Sequence, residues 1–261
     1  WFTAQNGAGR NVIARLNPDG TLESAFNVGT GFNNLVYAIT PAGDGTGDIY
    51  VGGEFTDYNG TARNRLLRLN SNGTVDAGFA VGTGFDNFVY VIAAADDGTG
   101  DVYVGGEFTE YNGLARNRIL RLNSDGTVDG ALVIGTGFDS TVAAIAPAGD
   151  GTGDIYVVGI FTSYDSAGRN GVARLNSDGT IDGGFTVGTG FNNAVLAIEP
   201  AGDGSGDVYV GGDFTEYNGF GSSGVIRLNS DGTIDGAFAV GAGFNGIVHE
   251  IAPTGNGTGD V

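Results

Sequence analysis

The sequence predicts an all-β fold, a β-propeller of five 53-residue, four-stranded blades, and three observations predict it. The tripeptides Gly31-Phe32-Asn33, Gly84-Phe85-Asp86, Gly137-Phe138-Asp139, Gly190-Phe191-Asn192 and Gly243-Phe244-Asn245 recur at one fixed spacing without a slip, and a repeat of this length signals a solenoid, a propeller or a stacked array. Glycine fills 51 of 261 positions, and each interior glycine costs a helix roughly 1 kcal/mol against alanine. Finally, every unit alternates short apolar runs with Asn-Gly, Asp-Gly and Gly-rich stretches, the punctuation of short strands and tight turns.

Each unit justifies four strands in order. Val36 to Ile39 is apolar and bounded by Gly-rich and Pro-containing segments, as a short buried strand requires. Ile49 to Gly53 follows the turn Asp44-Gly45-Thr46-Gly47-Asp48 and makes the second strand. Arg65 to Asn70 makes the third, and Asn72-Gly73 then turns the chain, because Asn and Gly tolerate positive φ. Val75 to Val81 completes the unit. Blades are covered on both faces by their neighbours, so these strands can be apolar throughout without alternating. Segments such as Arg65-Leu66-Leu67-Arg68-Leu69 fit that description.

The units read as residues 1–31, 32–84, 85–137, 138–190 and 191–243 of a single domain spanning 1–261, with 244–261 completing the first blade. Trp1 falls in register with Glu54, and Val261 with Val208. A closed five-blade ring would therefore share one blade between the chain ends, taking Val12 to Asn17 and Leu22 to Val28 from one end and Ile247 to Ala252 from the other. Its second strand would be broken between Asp260-Val261 and Trp1-Phe2-Thr3. A break inside a strand points equally to a segment of a longer chain, so the alternative is a five-blade segment of a larger propeller.

Composition excludes several functions. There are no cysteines, and the one histidine, His249, leaves no multi-His site. Disulfides, thiol catalysis and Cys-based metal centres are thereby ruled out. Thirty acidic residues stand against 11 basic ones, all arginine, for a net charge of −19. Nucleic acid and anionic membrane surfaces need clustered cations, so neither is an expected partner. No run of about 20 apolar residues is present, so direct membrane insertion is not expected either.

The segment Arg121-Leu-Asn-Ser-Asp-Gly-Thr-Val-Asp129, together with the Tyr-Val-Gly-Gly-x-Phe-Thr strand and Tyr111-Asn112-Gly113, resembles the delta-60 repeat family of β-propellers. The resemblance spans the chain. It implies a propeller module of large secreted or cell-surface proteins, mostly bacterial, whose molecular activity is generally undefined. The turn before the second strand departs from that pattern, since a Pro-Asp-Gly-Lys type turn is replaced by Ala-Gly-Asp-Gly-Thr-Gly-Asp.

That turn supplies the candidate metal ligands Asp44, Asp48, Asp97, Asp101, Asp150, Asp154, Asp203 and Asp207. Two carboxylates four apart across a glycine turn can aim oxygens at one hard cation, with Ca²⁺ the expected ion. The layout is similar to the calcium hairpins of integrin-type FG-GAP repeats, although Thr40 and Ala42 stand where that family places its first two ligands. The alternative is a glycine turn whose Asp carboxylates accept backbone N–H groups. The arginine column Arg15, Arg68, Arg121, Arg174 and Arg227 faces Glu23, Asp76, Asp129, Asp182 and Asp235 across the last hairpin, in near cross-strand register.

Candidate ligand-binding loops combine an aromatic with a carboxylate and an amide: Asp57, Tyr58 and Asn59; Glu110, Tyr111 and Asn112; Glu216, Tyr217 and Asn218. Such loops could stack on a sugar, one weak site per blade gaining by avidity. The competing reading packs Phe55 and Tyr58 between blades and leaves Asp57 and Asn59 in solvent. His249 sits in the column of Tyr37, Tyr90, Ala143 and Leu196 beside Glu250, but no nucleophile or second acid accompanies it, so no catalytic residue and no enzyme activity are expected. The sequence as a whole predicts a non-enzymatic extracellular module for adhesion, surface structure or ligand display, with a glycan or surface protein as partner. The alternatives are a multivalent carbohydrate-binding propeller and a self-associating surface-layer or fibre subunit.

Overall fold

In the computed structural model, residues 12–261 are described, together with the backbone of two short strands before them, β1 (Ala4–Gln5) and β2 (Ala8–Gly9). The next repeat contains β3 (Val36–Pro41), β4 (Ile49–Gly53), β5 (Asp57–Tyr58), β6 (Thr61–Ala62) and β7 (Leu66–Leu69). The same five strands return as β8 (Val89–Ala94), β9 (Val102–Gly106), β10 (Glu110–Tyr111), β11 (Leu114–Ala115) and β12 (Ile119–Leu122). They return again as β13 (Val142–Pro147), β14 (Ile155–Gly159), β15 (Ser163–Tyr164), β16 (Ala167–Gly168) and β17 (Val172–Leu175), and as β18 (Val195–Pro200), β19 (Val208–Gly212), β20 (Glu216–Tyr217), β21 (Phe220–Gly221) and β22 (Val225–Leu228). No helix occurs among the described residues. The chain divides into two compact units, residues 1–116 with 121–129 and residues 117–120 with 130–261.

In the first unit β3, β4 and β7 form an antiparallel sheet in that order; in the second, β13-β14-β17 and β18-β19-β22 repeat it. The central strand is buried on both faces, as in Val102–Gly106, and its β-branched and aromatic residues suit a strand enclosed on both sides. The two glycines ending it have separate causes. A Cβ on Gly53 would lie 2.2 Å from the carbonyl oxygen of Leu35, and one on Gly52 would lie 2.6 Å from Val89 Cγ1. One glycine therefore lets β3 approach, and the other lets the next repeat pack.

Between Val36 and Ala38 the β3–β4 register slips by one residue, making Tyr37 the extra residue of a bulge. Tyr90, Ala143 and Leu196 occupy the same bulge in their own sheets. A bulge bends the strand and re-aims the side chain it adds.

The fourth strand position is held differently from the expected Val75–Val81 run. A single bridge, Leu69 with Val75, joins it to the sheet. Asp76 then accepts the N–H of Gly78 at 2.8 Å, turning the chain away, and the N–H of Ala80 bonds to the Asp125 carbonyl in the following repeat at 2.9 Å. The segment thus ties one repeat to the next. Leu22 to Val28 behaves alike, with one Leu16–Leu22 bridge and Asn27 N–H donating to Asn72 O at 2.9 Å.

At the chain's other end, the expected strand Ile247 to Ala252 is not a ladder strand among the described residues, although the Val248 N–H donates to the Gly212 carbonyl at 3.0 Å. Trp1-Phe2-Thr3, the other half of the proposed broken strand, lie outside the described residues.

Among the described residues, four repeats also bury an aromatic triad, on Phe32, Phe85, Phe138 and Phe191, whereas Phe244 is exposed. Phe32 meets Phe55 and Tyr58 with ring centroids 4.5 and 4.7 Å apart, and Phe191 meets Phe214 and Tyr217 likewise at 4.5 and 4.6 Å. Such rings supply most of the burial around them, at roughly 1.5–3 kcal/mol per side chain. The triads join the buried clusters built on Val51 and Leu67 in one unit and on Val210 and Ile226 in the other.

Candidate functional site

The eight aspartates singled out as metal ligands are brought together in pairs, but around an arginine. Arg68 on β7 stands opposite Tyr50 of β4, which places its guanidinium beside the turn preceding β4. Its Nη2 donates to Asp44 and, at 2.9 Å, to Asp48 Oδ2, while Nε lies 3.2 Å from Asp76 Oδ2. Its Cζ lies 5.5 Å from the Tyr50 ring centroid. Asp48 Oδ1 accepts the Ser71 N–H at 2.9 Å, and Asp44 Oδ1 accepts the N–H of Thr46 at 3.0 Å. The turn aspartates thus make the backbone-accepting bonds of the alternative reading as well as holding the arginine.

The same hub recurs around Arg121, Arg174 and Arg227. Arg174 Nη2 lies 2.6 Å from Asp150 and 3.0 Å from Asp154, with Nε 3.2 Å from Asp182. Arg227 takes Asp203, Asp207 and Asp235, and Arg121 takes Asp97, Asp101 and Asp129. Bonds from the Thr46 hydroxyl and N–H, with help from Arg68, lower the Asp44 carboxyl to about 2. Ser205 and Arg227 do the same for Asp203, also to about 2. Burial works against the Arg68 charge, yet Asp44 and Asp48 hold its proton more tightly than usual. Among the described residues no group of three or more acidic or histidine side chains is arranged for a metal ion.

The expected cross-hairpin partner Asp76 is therefore joined by two aspartates that hairpin counting does not reach. Their signal lies in the sequence nonetheless: Asp48 directly precedes the strand whose second residue faces Arg68.

The tyrosines of the candidate loops are core residues. Tyr58, Tyr111 and Tyr217 are buried, and their hydroxyls donate to the carbonyls of Gly73, Gly126 and Gly232 at 2.6, 2.7 and 2.8 Å. Their rings present no face to a sugar, which corrects the expectation of a stacking loop. Burial raises the Tyr58 and Tyr217 hydroxyls to about 12. The amides are engaged too, since Asn59 Oδ1 accepts Thr30 N–H at 3.1 Å, Asn112 Oδ1 accepts Thr83 N–H at 3.1 Å and Asn218 Oδ1 accepts Gly190 N–H at 3.0 Å. Asp57 closes its own turn by accepting Gly60 N–H at 2.8 Å. Glu110 and Glu216 are exposed.

A second constellation lies at the bulges of the first compact unit. Tyr37 is 42% exposed, and its ring centroid is 5.1 Å from that of Tyr90, the planes tilted by 52°. Tyr37 donates to Glu54 Oε1 at 2.7 Å, and Tyr90 to Glu107 Oε1 at 3.1 Å. Phe88 lies 6.2 Å from Tyr90, centroid to centroid. Burial first, and then both carboxylates, push the Tyr90 hydroxyl up to about 12 and the Tyr37 hydroxyl higher still. The sequence reading placed Tyr37 and Tyr90 only as column neighbours of His249. The overlooked signal is that Glu occurs at 54 and 107 in the two repeats with Tyr at 37 and 90, whereas Ala143 is matched by Ile160 and Leu196 by Asp213.

Comparison with known proteins adds the family. The profile of a family described as "Domain of unknown function (DUF5122) beta-propeller" matches residues 1–26, 45–79, 98–131, 151–185 and 204–238, more than half of the chain. The chain belongs to the DUF5122 β-propeller family. The delta-60 resemblance and the DUF5122 match agree on a repeat propeller, and each matched DUF5122 segment after the first contains the arginine of one hub with two of its three aspartates, the first aspartate lying one residue before the segment.

No curated protein matches. Among solved structures, an ancestral GH74 enzyme is similar at 12% identity and a TM-score of 0.44, over 87% of this chain and 25% of that one. The DUF5122 chain thus spans a quarter of the length of that enzyme. The WD40 beta propeller domain of Doa1 is similar at 9% identity and a TM-score of 0.33, over 87% and 88% of the two chains. Neither likeness carries an argument about activity.

Proposed function

We propose that this β-propeller is a non-enzymatic extracellular module acting in adhesion, surface structure or ligand display. One observation supports this reading above the others: the repeated polar columns are spent on holding the fold. The arginines and their aspartates form hubs, the loop tyrosines bond to glycine carbonyls, and the loop amides cap the preceding turn. What differs between repeats is a set of side chains at the bulges, and recognition belongs there. The secreted or cell-surface setting, and a bacterial one, follow from the delta-60 resemblance. The acidity supports it, because 30 carboxylates with no lysine suit saline surroundings.

The test is retention of the labelled chain on a glycan array and on immobilised surface proteins, alongside a panel of glycoside, ester and peptide substrates. Retention without turnover is the expected result. Turnover of any substrate that one side-chain replacement abolishes would overturn the reading.

A further inference from the structure

We infer that the corner formed by Tyr37, Tyr90, Glu54 and Glu107 is a binding site for an alkylammonium group. The inference rests on the reading of the chain as a binding module and names the ligand class of that module's non-repeating surface.

The geometry favours a cation. The two rings meet at 52°, so they present two faces at an angle rather than the flat platform on which a sugar ring stacks. Electron-rich ring faces attract an ammonium group, more strongly where water is partly excluded. Both phenols hydrogen-bond a carboxylate, which draws two negative charges toward the same corner. The two arginines that follow Glu54 are directed elsewhere: Arg63 Nη1 donates to the Ala62 carbonyl at 2.8 Å, and Arg65 Nη1 donates to the main-chain carbonyls of Glu54 and Phe55 at 3.1 and 3.4 Å, with its Cζ 5.6 Å from the Phe88 ring centroid. Glu54 keeps its second carboxylate oxygen clear of protein donors among the described residues. A neutral sugar would leave the Glu54 charge uncompensated, whereas an ammonium group compensates it. The net charge of −19 draws such a ligand in at long range.

The corner is also particular to these two repeats. Ala143 with Ile160 replaces both the ring and its carboxylate partner, and Leu196 with Asp213 loses the ring and shortens the carboxylate. Asp213 instead accepts from Asn193 Nδ2 at 3.0 Å. Structural necessity would have kept the Tyr–Glu pairing in the four repeats that keep the arginine hub.

The probes are tetramethylammonium and n-butylammonium, titrated against the full chain while the Tyr37 and Tyr90 ring resonances are followed by NMR, with sodium at equal ionic strength and methyl β-glucoside as comparisons. Saturable shifts of those two rings with the ammonium ions alone are expected. The double variant Glu54→Gln/Glu107→Gln, which keeps an acceptor for each phenol, should weaken binding by about tenfold or more, as should Tyr37→Ala. Near-ultraviolet circular dichroism checks that each variant folds. No saturable shift in the unmodified chain, equal affinity in the folded variants, or saturation by the glucoside alone would each overturn the site. Failure here with surface retention intact removes the ammonium site and leaves the binding module, whereas enzymatic turnover removes the module and leaves the titration to be judged by itself.

Discussion

Arg68 and Asp48 meet at 2.9 Å through Nη2 and Oδ2, both side chains less than one-tenth exposed. The pair is the centre of a hub in which one guanidinium neutralises part of the charge of three carboxylates. A buried cation with partners on a turn, a strand end and a hairpin fixes how those elements sit together. Removing one member of such a group leaves the others buried without a counter-charge, which costs far more than the pair is worth relative to apolar residues.

Arg68→Met should therefore destabilise the chain by about 3 kcal/mol. Arg15 is the internal comparison, since it occupies the same column but is exposed, and among the described residues its side chain makes one bond, to the Ser71 carbonyl at 3.2 Å. Arg15→Ala should change stability by less than about 0.5 kcal/mol. Urea unfolding of the two variants checks the contrast, and equal costs would show that the hub contributes nothing special.

Calcium should add little to this arrangement. The Oδ2 atoms of Asp44 and Asp48 already face Arg68 Nη2, so a bound ion would have to displace a buried guanidinium. Melting curves in calcium and in excess chelator at matched ionic strength should superpose. A site filled at a hundredfold excess over Kd would instead stabilise the chain by about 2.7 kcal/mol, a shift plainly visible in the same experiment.

The hydroxyl of Tyr111 donates to the Gly126 carbonyl at 2.7 Å inside the core. Tyr111→Phe keeps the ring in its triad with Phe85 and Phe108 and leaves that carbonyl without its donor. The expected loss is about 1–3 kcal/mol. A neutral result in chemical denaturation would mean that water reaches Gly126.

Acid should weaken the fold in a defined window. Asp44 and Asp203 titrate at about 2 when folded against an ordinary 3.8, and Asp97 and Asp150 move the same way because their bonds to Thr99 and Thr152 outweigh burial. The unfolded chain therefore binds more protons as pH falls from about 4 toward 2, and stability drops with it. The contribution is complete above the unfolded value and is lost as pH falls through the folded one. Melting temperature measured from pH 5 to 2 should decline through that window. A flat or rising profile would show that relief of the net charge of −19 outweighs these bonds.

The repeat made the blade architecture legible, because recurring columns such as Phe32, Phe85 and Phe138 and the Asn-Gly or Asp-Gly turns bear directly on strand and turn order. The Arg68–Asp76 contact was legible too, by counting outward from Asn72-Gly73. Asp44 and Asp48 were not assigned to the same arginine, since their spacing matches two chemistries and only the Tyr50–Arg68 register chooses between them. Tyr58 was misplaced as a stacking residue because local composition cannot say which side of a two-residue strand faces the core. The Tyr37 corner needed the bulge, which no sequence pattern announces; a regular strand would have sent that side chain to the other face.

Glu199 departs from its column, standing on β18 where Thr40, Ala93 and Ala146 stand in the other sheets. Burial, reinforced by Glu250, raises its carboxyl above the ordinary 4.5. A raised carboxyl is penalised more in the folded state than in the unfolded one, so its stability is fullest below about 4.5 and is lost as pH rises through the folded value. Glu199→Gln should thus stabilise the chain near neutral pH, by about 0.5 kcal/mol, the scale typical of relieving an unfavourable charge. The gain should shrink to nothing below about pH 4, where both forms are uncharged. Melting curves of the two proteins at pH 7 and pH 4 decide the matter. A variant less stable than the parent at pH 7 would mean that the ionised Glu199 has a favourable partner and that its burial is compensated.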